Sequence, residues 1–195
     1  MIFPKSHLAT KYLTGLRGVE IGGSAHNAYG LDTINVDYTD EVTVYKEAEV
    51  RECGEMLKVD VVADAADLPF ARKSYDFVIS SHMLEHAYDP ISVIQEWERV
   101  AMQYLFITVP RKDLTFDKDK DVTPFLTIYE RYDQYPDPSS GPPSDDHWSI
   151  WDIHGFREFC NFCCTYFNME IKEFQEKDDK VGNGMTVLFK ILDKK

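Results

Sequence analysis

Short apolar runs, each closed by a polar residue, glycine or proline, recur along this chain, and between them apolar residues return three and four positions apart. The runs at 17–22, 33–36, 59–63, 75–80 and 104–109 have the length and the Val, Ile and Phe content of strands. In the first, Val19 and Ile21 point inward with Glu20 between them. Asp89 and Pro90 combine an N-cap carboxylate with a proline at the first helical position. Ile91, Ile94, Trp97 or Glu98, and Ala101 follow at helical spacing, so the pattern predicts a helix over 90–102. Asp152 caps a second helix over 153–167, and Ser6 a short one over 7–13 that Gly15 and Gly18 stop. The stretch 39–58 is weakly helical: Asp40 can cap it, but Val42 and Val44 also suit a strand or loop.

Two connections carry most of the topological information. The linker GGSAHNAYGLD between the first two strands holds three glycines and no helical periodicity, so the first crossover helix is shortened or replaced by a loop. The runs at 169–173 and 185–192 are joined by KDDKVGNG, too short and polar for a crossover helix, which makes them an antiparallel pair. The fold class is therefore α/β, a mostly parallel sheet finished by an antiparallel hairpin, in one domain over 1–195. A polar stretch over 111–147 interrupts it: RKDLTFDKDKDVTP, one or two helical turns near 125–132, then the loop-forming PDPSSGPPSDD. Such an insertion after a strand is more often functional than idle, and it should close like a lid over the carboxyl edge of the sheet.

Composition narrows the class of partner. With 21 Lys and Arg against 34 Asp and Glu the formal charge is −13, which repels phosphate backbones and anionic lipid. Nucleic acid and membrane are not expected partners. No apolar run reaches the ~20 residues of a membrane span. MIFPKSHLATKYL lacks the continuous apolar core of a signal peptide, so the cytosol is the default location. Cys53 stands alone, while Cys160 and Cys163 share a helical face with Phe156 and Phe167. They read as core residues, and no metal ligands are assigned. Oligomeric state is not legible.

In an open parallel sheet ligands bind at the carboxyl ends of strands. Asp37 closes the second strand, and Asp64, Asp67, Ser80, Ser81, His82, Glu85 and His86 lie just past the next two. His82 and His86 flank this edge and His147 ends the insertion, each with a side chain suited to proton transfer near neutrality. The bland alternative is a turn or cap role for each carboxylate and a packed or surface role for each histidine.

DAADLPF at 64–70 and SYDFVISSHMLEHAYDP at 74–90, after an acidic strand end and before a terminal hairpin, resemble the class I S-adenosylmethionine-dependent methyltransferases of small molecules, with their D-A-x-x-L-P-F and L-E-H-x-x-D-P signature. VPRKDLTFDKDKDVTP and HWSIWDIHGF are similar to a subgroup associated with glycan-modifying systems. VEIGGSAHN departs from the usual E/D-x-G-x-G-x-G loop. The resemblance implies a Rossmann-like class I methyltransferase fold with S-adenosylmethionine as cofactor. It further implies that Gly22 and Gly23 admit the cofactor to the backbone. Glu20 arranges their loop or reaches the methionine ammonium, Asp37 accepts from the ribose hydroxyls with Tyr38 beside it, Asp64 and the Ala65 N–H read adenine, and the Ser80 strand end holds the ammonium. On the acceptor side it implies His82 and His147 as catalytic candidates and His86, Arg111, Asp113 and Trp148 as substrate contacts. The expected reaction is O-methylation of a small polar acceptor such as a sugar or glycan precursor. N- or C-methylation of another metabolite and a binding or scaffold domain remain alternatives, whereas a nicotinamide dehydrogenase would require the G-x-G-x-x-G that is absent.

Overall fold

The computed structural model describes residues 5–24, 29–134 and 146–193. Seven strands form one sheet in the order β3-β2-β1-β4-β5-β7-β6. These are β1 (Arg17–Ile21), β2 (Asp32–Asp37), β3 (Val61–Val62), β4 (Tyr75–Ser81), β5 (Ala101–Pro110), β6 (Met169–Gln175) and β7 (Gly184–Ile191). The first five run parallel, and β7 enters antiparallel between β5 and β6. The expected mixed sheet is present. The insertion of β7 between β5 and β6 follows from pairing along both of its edges, a long-range choice with no local signal.

The alternation of side chains across the central strands builds a core on each face. Val78, Leu105, Ile107, Val187 and Phe189 face helices α3 (Pro90–Val100) and α5 (Ile153–Tyr166), whereas Phe77, Ile79, Phe106 and Leu188 pack with Leu8 and Leu13 of α1 (His7–Leu13). Because both faces are covered, Glu20 is buried as well, although it lies between two core residues.

The predicted caps of these helices form. Ser6 Oγ accepts the Ala9 N–H at 3.0 Å, Asp89 Oδ1 accepts from Ile91 and Ser92 at 3.0 and 3.1 Å, and Asp152 Oδ1 accepts from Gly155 at 2.7 Å. The weakly helical stretch is α2 (Val44–Cys53), and Thr43 caps it in place of Asp40, its hydroxyl accepting the Lys46 N–H at 3.3 Å. Left-handed Gly54 ends it. Helix α3 is shorter than expected because Ala101 already pairs with Tyr75 in the sheet. In the first crossover the described residues, 22–24 and 29–31, are not helical, and 25–28 lie outside the described residues. Among the described residues the insertion holds two 3-10 turns and α4 (Phe125–Gln134), longer than the one or two turns expected, and its Pro-rich loop lies almost wholly outside them. Cys160 and Cys163 are buried beside Phe156, as their helical face requires.

Gly18 faces Phe77 across the β1–β4 pair, and a Cβ there would stand 2.3 Å from the fully buried Phe77 ring. Gly18→Ala should lower the free energy of urea unfolding by about 1–3 kcal/mol through overpacking. An unchanged midpoint would show that the ring can move aside.

Candidate active site

After β1 the chain proceeds to β2 and β3, whereas after β4 it proceeds to β5 on the other side. The sheet therefore reverses between β1 and β4, and their carboxyl ends frame a crevice. Ser80 pairs with Ile21 in register, and its hydroxyl donates to the Ile21 carbonyl at 3.2 Å. Gly22 follows with φ +73°, a left-handed conformation that glycine adopts without a Cβ penalty. Its N–H donates to the Val36 carbonyl at 2.9 Å, and the Gly23 N–H donates to Asn35 Oδ1 at 3.1 Å. A Cβ on Gly23 would meet both Asn35 Oδ1 and Glu20 Cγ at 2.9 Å, so the loop lies flat on β1 and β2 only as glycine. Glu20 holds the far end of this connection, accepting from the Tyr29 N–H at 3.0 Å and the Thr33 hydroxyl at 3.1 Å. Burial pushes its carboxyl above the ordinary value, and these two donors partly offset the shift.

Asp37 is buried at the end of β2, but it does not stand alone. Lys46 of α2 brings Nζ to 3.4 Å from Asp37 Oδ2 and also donates to the Thr39 and Glu41 carbonyls. Nothing in the hydrophobic pattern marks Lys46, whose side chain is 1% exposed. Tyr38 beside it is exposed. Asp64, just past β3, accepts the Ala66 N–H at 2.8 Å and forms a bridge with Asp67, while the Ala65 carbonyl accepts Trp97 Nε1–H at 3.0 Å. Tertiary packing thus anchors the DAADLPF turn to α3.

The acceptor-side candidates fall into separate groups. His82 is buried with φ +52°, and its Nε2 lies 3.0 Å from Asn183 Oδ1 of the terminal hairpin. Burial pushes its pKa down to about 4. His86 and His147 meet edge to face with ring centroids 4.8 Å apart, and each brings Nε2 to 4.0 Å from Glu85 Oε1. The segment carrying His147 is tied to the 3-10 turn Leu84–His86, since the N–H groups of Trp148 and Ser149 both donate to the Glu85 carbonyl, at 2.8 and 3.2 Å. Behind His147, Asp117 Oδ2 lies 2.5 Å from Nδ1. Glu85 is 1% exposed, and burial pushes its carboxyl up to about 8. The Trp148 ring packs edge-on against Tyr88 at 5.0 Å. Arg111 and Asp113 form a bidentate pair at 2.6 Å, and Arg111 also donates to the Glu176 carbonyl, so these two are engaged with each other and with the hairpin.

Sequence reasoning missed several members of this edge. Asp117 sits among many charged residues of the insertion; Glu85 is placed at this edge by its position past β4, but nothing in the sequence pairs it with His147. Lys180 lies in the polar hairpin connection, yet it is buried with Nζ 4.4 Å from the Tyr29 ring centroid. Burial lowers its pKa to about 8, against the attraction of Glu20, Glu49 and Asp178. Asp178 gathers the N–H groups of Lys180, Val181, Gly182 and Gly184 at 2.7–3.0 Å. Burial alone would raise its carboxyl, and the four donors outweigh this and hold it below the ordinary value.

Residues 19–103 match the family model described as a methyltransferase domain. No curated protein matches the chain by sequence. Among solved structures, an S-adenosylmethionine-dependent methyltransferase from Methanosarcina mazei aligns with a TM-score of 0.58 at 17% identity, covering 96% of this chain and 98% of that one. One from Aquifex aeolicus aligns with a TM-score of 0.54 at 17% identity over 95% and 87% of the two chains. The magnesium protoporphyrin IX methyltransferase of Synechocystis, solved with bound S-adenosylhomocysteine, aligns at 0.51 and 14% identity over 95% and 78%. At these identities the structures speak for the fold, and the matched stretch is the one that carries the glycine loop and the β4 edge. Residues 19–103 thus match a methyltransferase domain, and the chain around them has the Rossmann-like class I methyltransferase fold.

Proposed function

We propose that the chain methylates a hydroxyl group of a small polar acceptor, with a sugar or glycan precursor as the substrate class. The observation that carries this reading is the cluster of Glu85, His86 and His147, polar groups gathered in an aromatic surround just past the carboxyl end of β4. S-Adenosylmethionine, when bound, supplies an activated methyl group on a sulfonium. The crevice residues fit it: Gly22 and Gly23 keep the backbone open at the switch point, and two carboxylates, Asp37 and Asp64, stand past the ends of neighbouring strands. In this reading Asp37 accepts from the ribose hydroxyls, with Tyr38 alongside and Lys46 sharing the carboxylate. Asp64 and the Ala65 N–H read adenine, the Ser80 strand end receives the methionine ammonium, and Glu20 acts through the loop it already holds.

A hydroxyl acceptor has to be positioned and relieved of its proton. His147 is the better placed imidazole, because Asp117 on Nδ1 turns Nε2 toward Glu85 and His86. His82 is held by Asn183 and is a weak base at about 4, so it is assigned to positioning the hairpin loop. Arg111, Asp113 and Trp148 border this side as further acceptor contacts. The glycan class draws its support from the similarity of 109–124 and 147–156 to glycan-associated methyltransferases. The deciding experiment is a screen of sugars, glycans and amines with a labelled methyl donor. Labelling of amines alone would overturn the reading in favour of N-methylation.

Three outcomes are expected. Asp37→Asn should weaken binding of S-adenosylmethionine by about 1–3 kcal/mol in calorimetry. Asparagine is preferred to alanine here because alanine would strand the buried Lys46 ammonium; equal affinity would place the ribose elsewhere. His147→Ala should reduce turnover far more than cofactor affinity, and a loss of both in proportion would argue for a purely structural role. For His82 the folded pKa lies below the unfolded value, so its contribution is constant above about pH 6.5, where both states are neutral. Stability is then lost as pH falls toward about 4, because only the unfolded state takes up the proton. His82→Asn tolerates the left-handed backbone and should remove on the order of 3 kcal/mol of that acid sensitivity, read as the difference in unfolding free energy between neutral and acidic buffer. Identical acid sensitivity in the two proteins would assign it to other groups.

A further inference from the structure

Among the described residues, ligand atoms of Glu85, His86 and His147 lie within 4.8 Å of one another. We propose that these three side chains bind one divalent transition-metal ion, with Asp117 as the support behind His147. Two imidazoles and one carboxylate are the donor set of sites that hold such an ion by three protein ligands and leave a position open.

Independent features of the cluster point the same way. Glu85 is 1% exposed, and among the described residues its Oε2 has no hydrogen-bond partner. A buried carboxylate oxygen without a donor is costly, and a cation beside it removes that cost. Asp117 Oδ2, 2.5 Å from His147 Nδ1, completes the carboxylate–histidine arrangement that fixes which ring nitrogen faces a metal. Phe116 packs on the His147 ring at 4.7 Å and Tyr45 on His86 at 5.7 Å, giving the site an aromatic wall. Glu85 Oε1 stands 4.0 Å from each Nε2. Ligands about 2.1 Å from a common ion are roughly 3–3.5 Å apart, so the pairs at 4.0 Å close by about 0.5–1 Å and a pair at the 4.8 Å limit by about 1.3–1.8 Å on binding.

An acceptor oxygen bound at the open position would be held and made more acidic, and in the ion-bound form His147 would serve as a ligand in place of a base, the proton leaving to solvent. That role rests on the methyl-transfer reading above; the binding of the ion does not.

The test titrates Zn²⁺ and Mn²⁺ separately into chelator-treated protein in a calorimeter, with and without S-adenosylhomocysteine. One equivalent of ion per chain is expected. His86→Ala and His147→Ala should each lower its affinity at least tenfold, and Asp117→Asn about 10–100-fold. In the wild-type protein, which needs no variant to fold, Mn²⁺ should broaden the ring signals of His86 and His147 in NMR spectra and leave those of the exposed His7 and His154 sharp. Absence of saturable binding, or broadening that spares His86 and His147, overturns the proposal. Failure of S-adenosylhomocysteine to bind would count against the methyltransferase reading alone, since the ion titration is read separately.

Discussion

The reversal of direction between β1 and β4 is the constraint from which the rest of the structure follows. Two adjacent parallel strands whose successors leave on opposite sides cannot have their carboxyl ends covered by their own connections. Ile21 and Ser80 are locked together there by register and by a side-chain hydrogen bond, so the groups just beyond them are brought into one crevice. The glycine loop comes from the first strand, and the His82–His86 turn from the fourth. Each is short, so each is held by the strand it follows.

Buried polar groups are concentrated along this edge. Glu20, Asp37 with Lys46, Asp178 with Lys180, and Glu85 with His147 are all removed from solvent, although an apolar interior of similar volume would be cheaper. Such groups cluster at sites that bind charged or polar ligands, where shifted titration is part of the design. Over the two faces of the same strands the interior is largely Val, Ile, Leu and Phe. The molecule thus divides into an apolar body that provides stability and a polar edge that uses part of it.

The C-terminal hairpin closes this arrangement. With β7 lying beside β5, the loop between β6 and β7 is carried to the same edge, where Asn183 meets His82 and Lys180 sits over Tyr29. Asp179 also accepts the Leu8 N–H of α1 at 2.9 Å, so the last hairpin ties down the first helix. Residues from both ends of the chain therefore shape the surroundings of the β1–β4 crevice.

Helix starts, strand positions, the antiparallel hairpin and the acidic strand ends were legible in the sequence because each rests on local chemistry: a capping oxygen three residues from an amide, a proline at a first turn, an alternation that repeats every two residues. Asp37, Asp64 and the glycine pair could be found for the same reason, since a strand end is a local event. The place of β7, the pairing of Lys46 with Asp37 and the burial of Lys180 depend on segments distant in the chain, and a charged residue in a polar loop carries no mark of where it will fold. The cluster of Glu85, His86, His147 and Asp117 is the strongest case. Its members come from the turn after β4 and from both sides of the insertion, so the sequence alone determined that chemistry-bearing residues line the edge, and only the tertiary structure decided which of them meet.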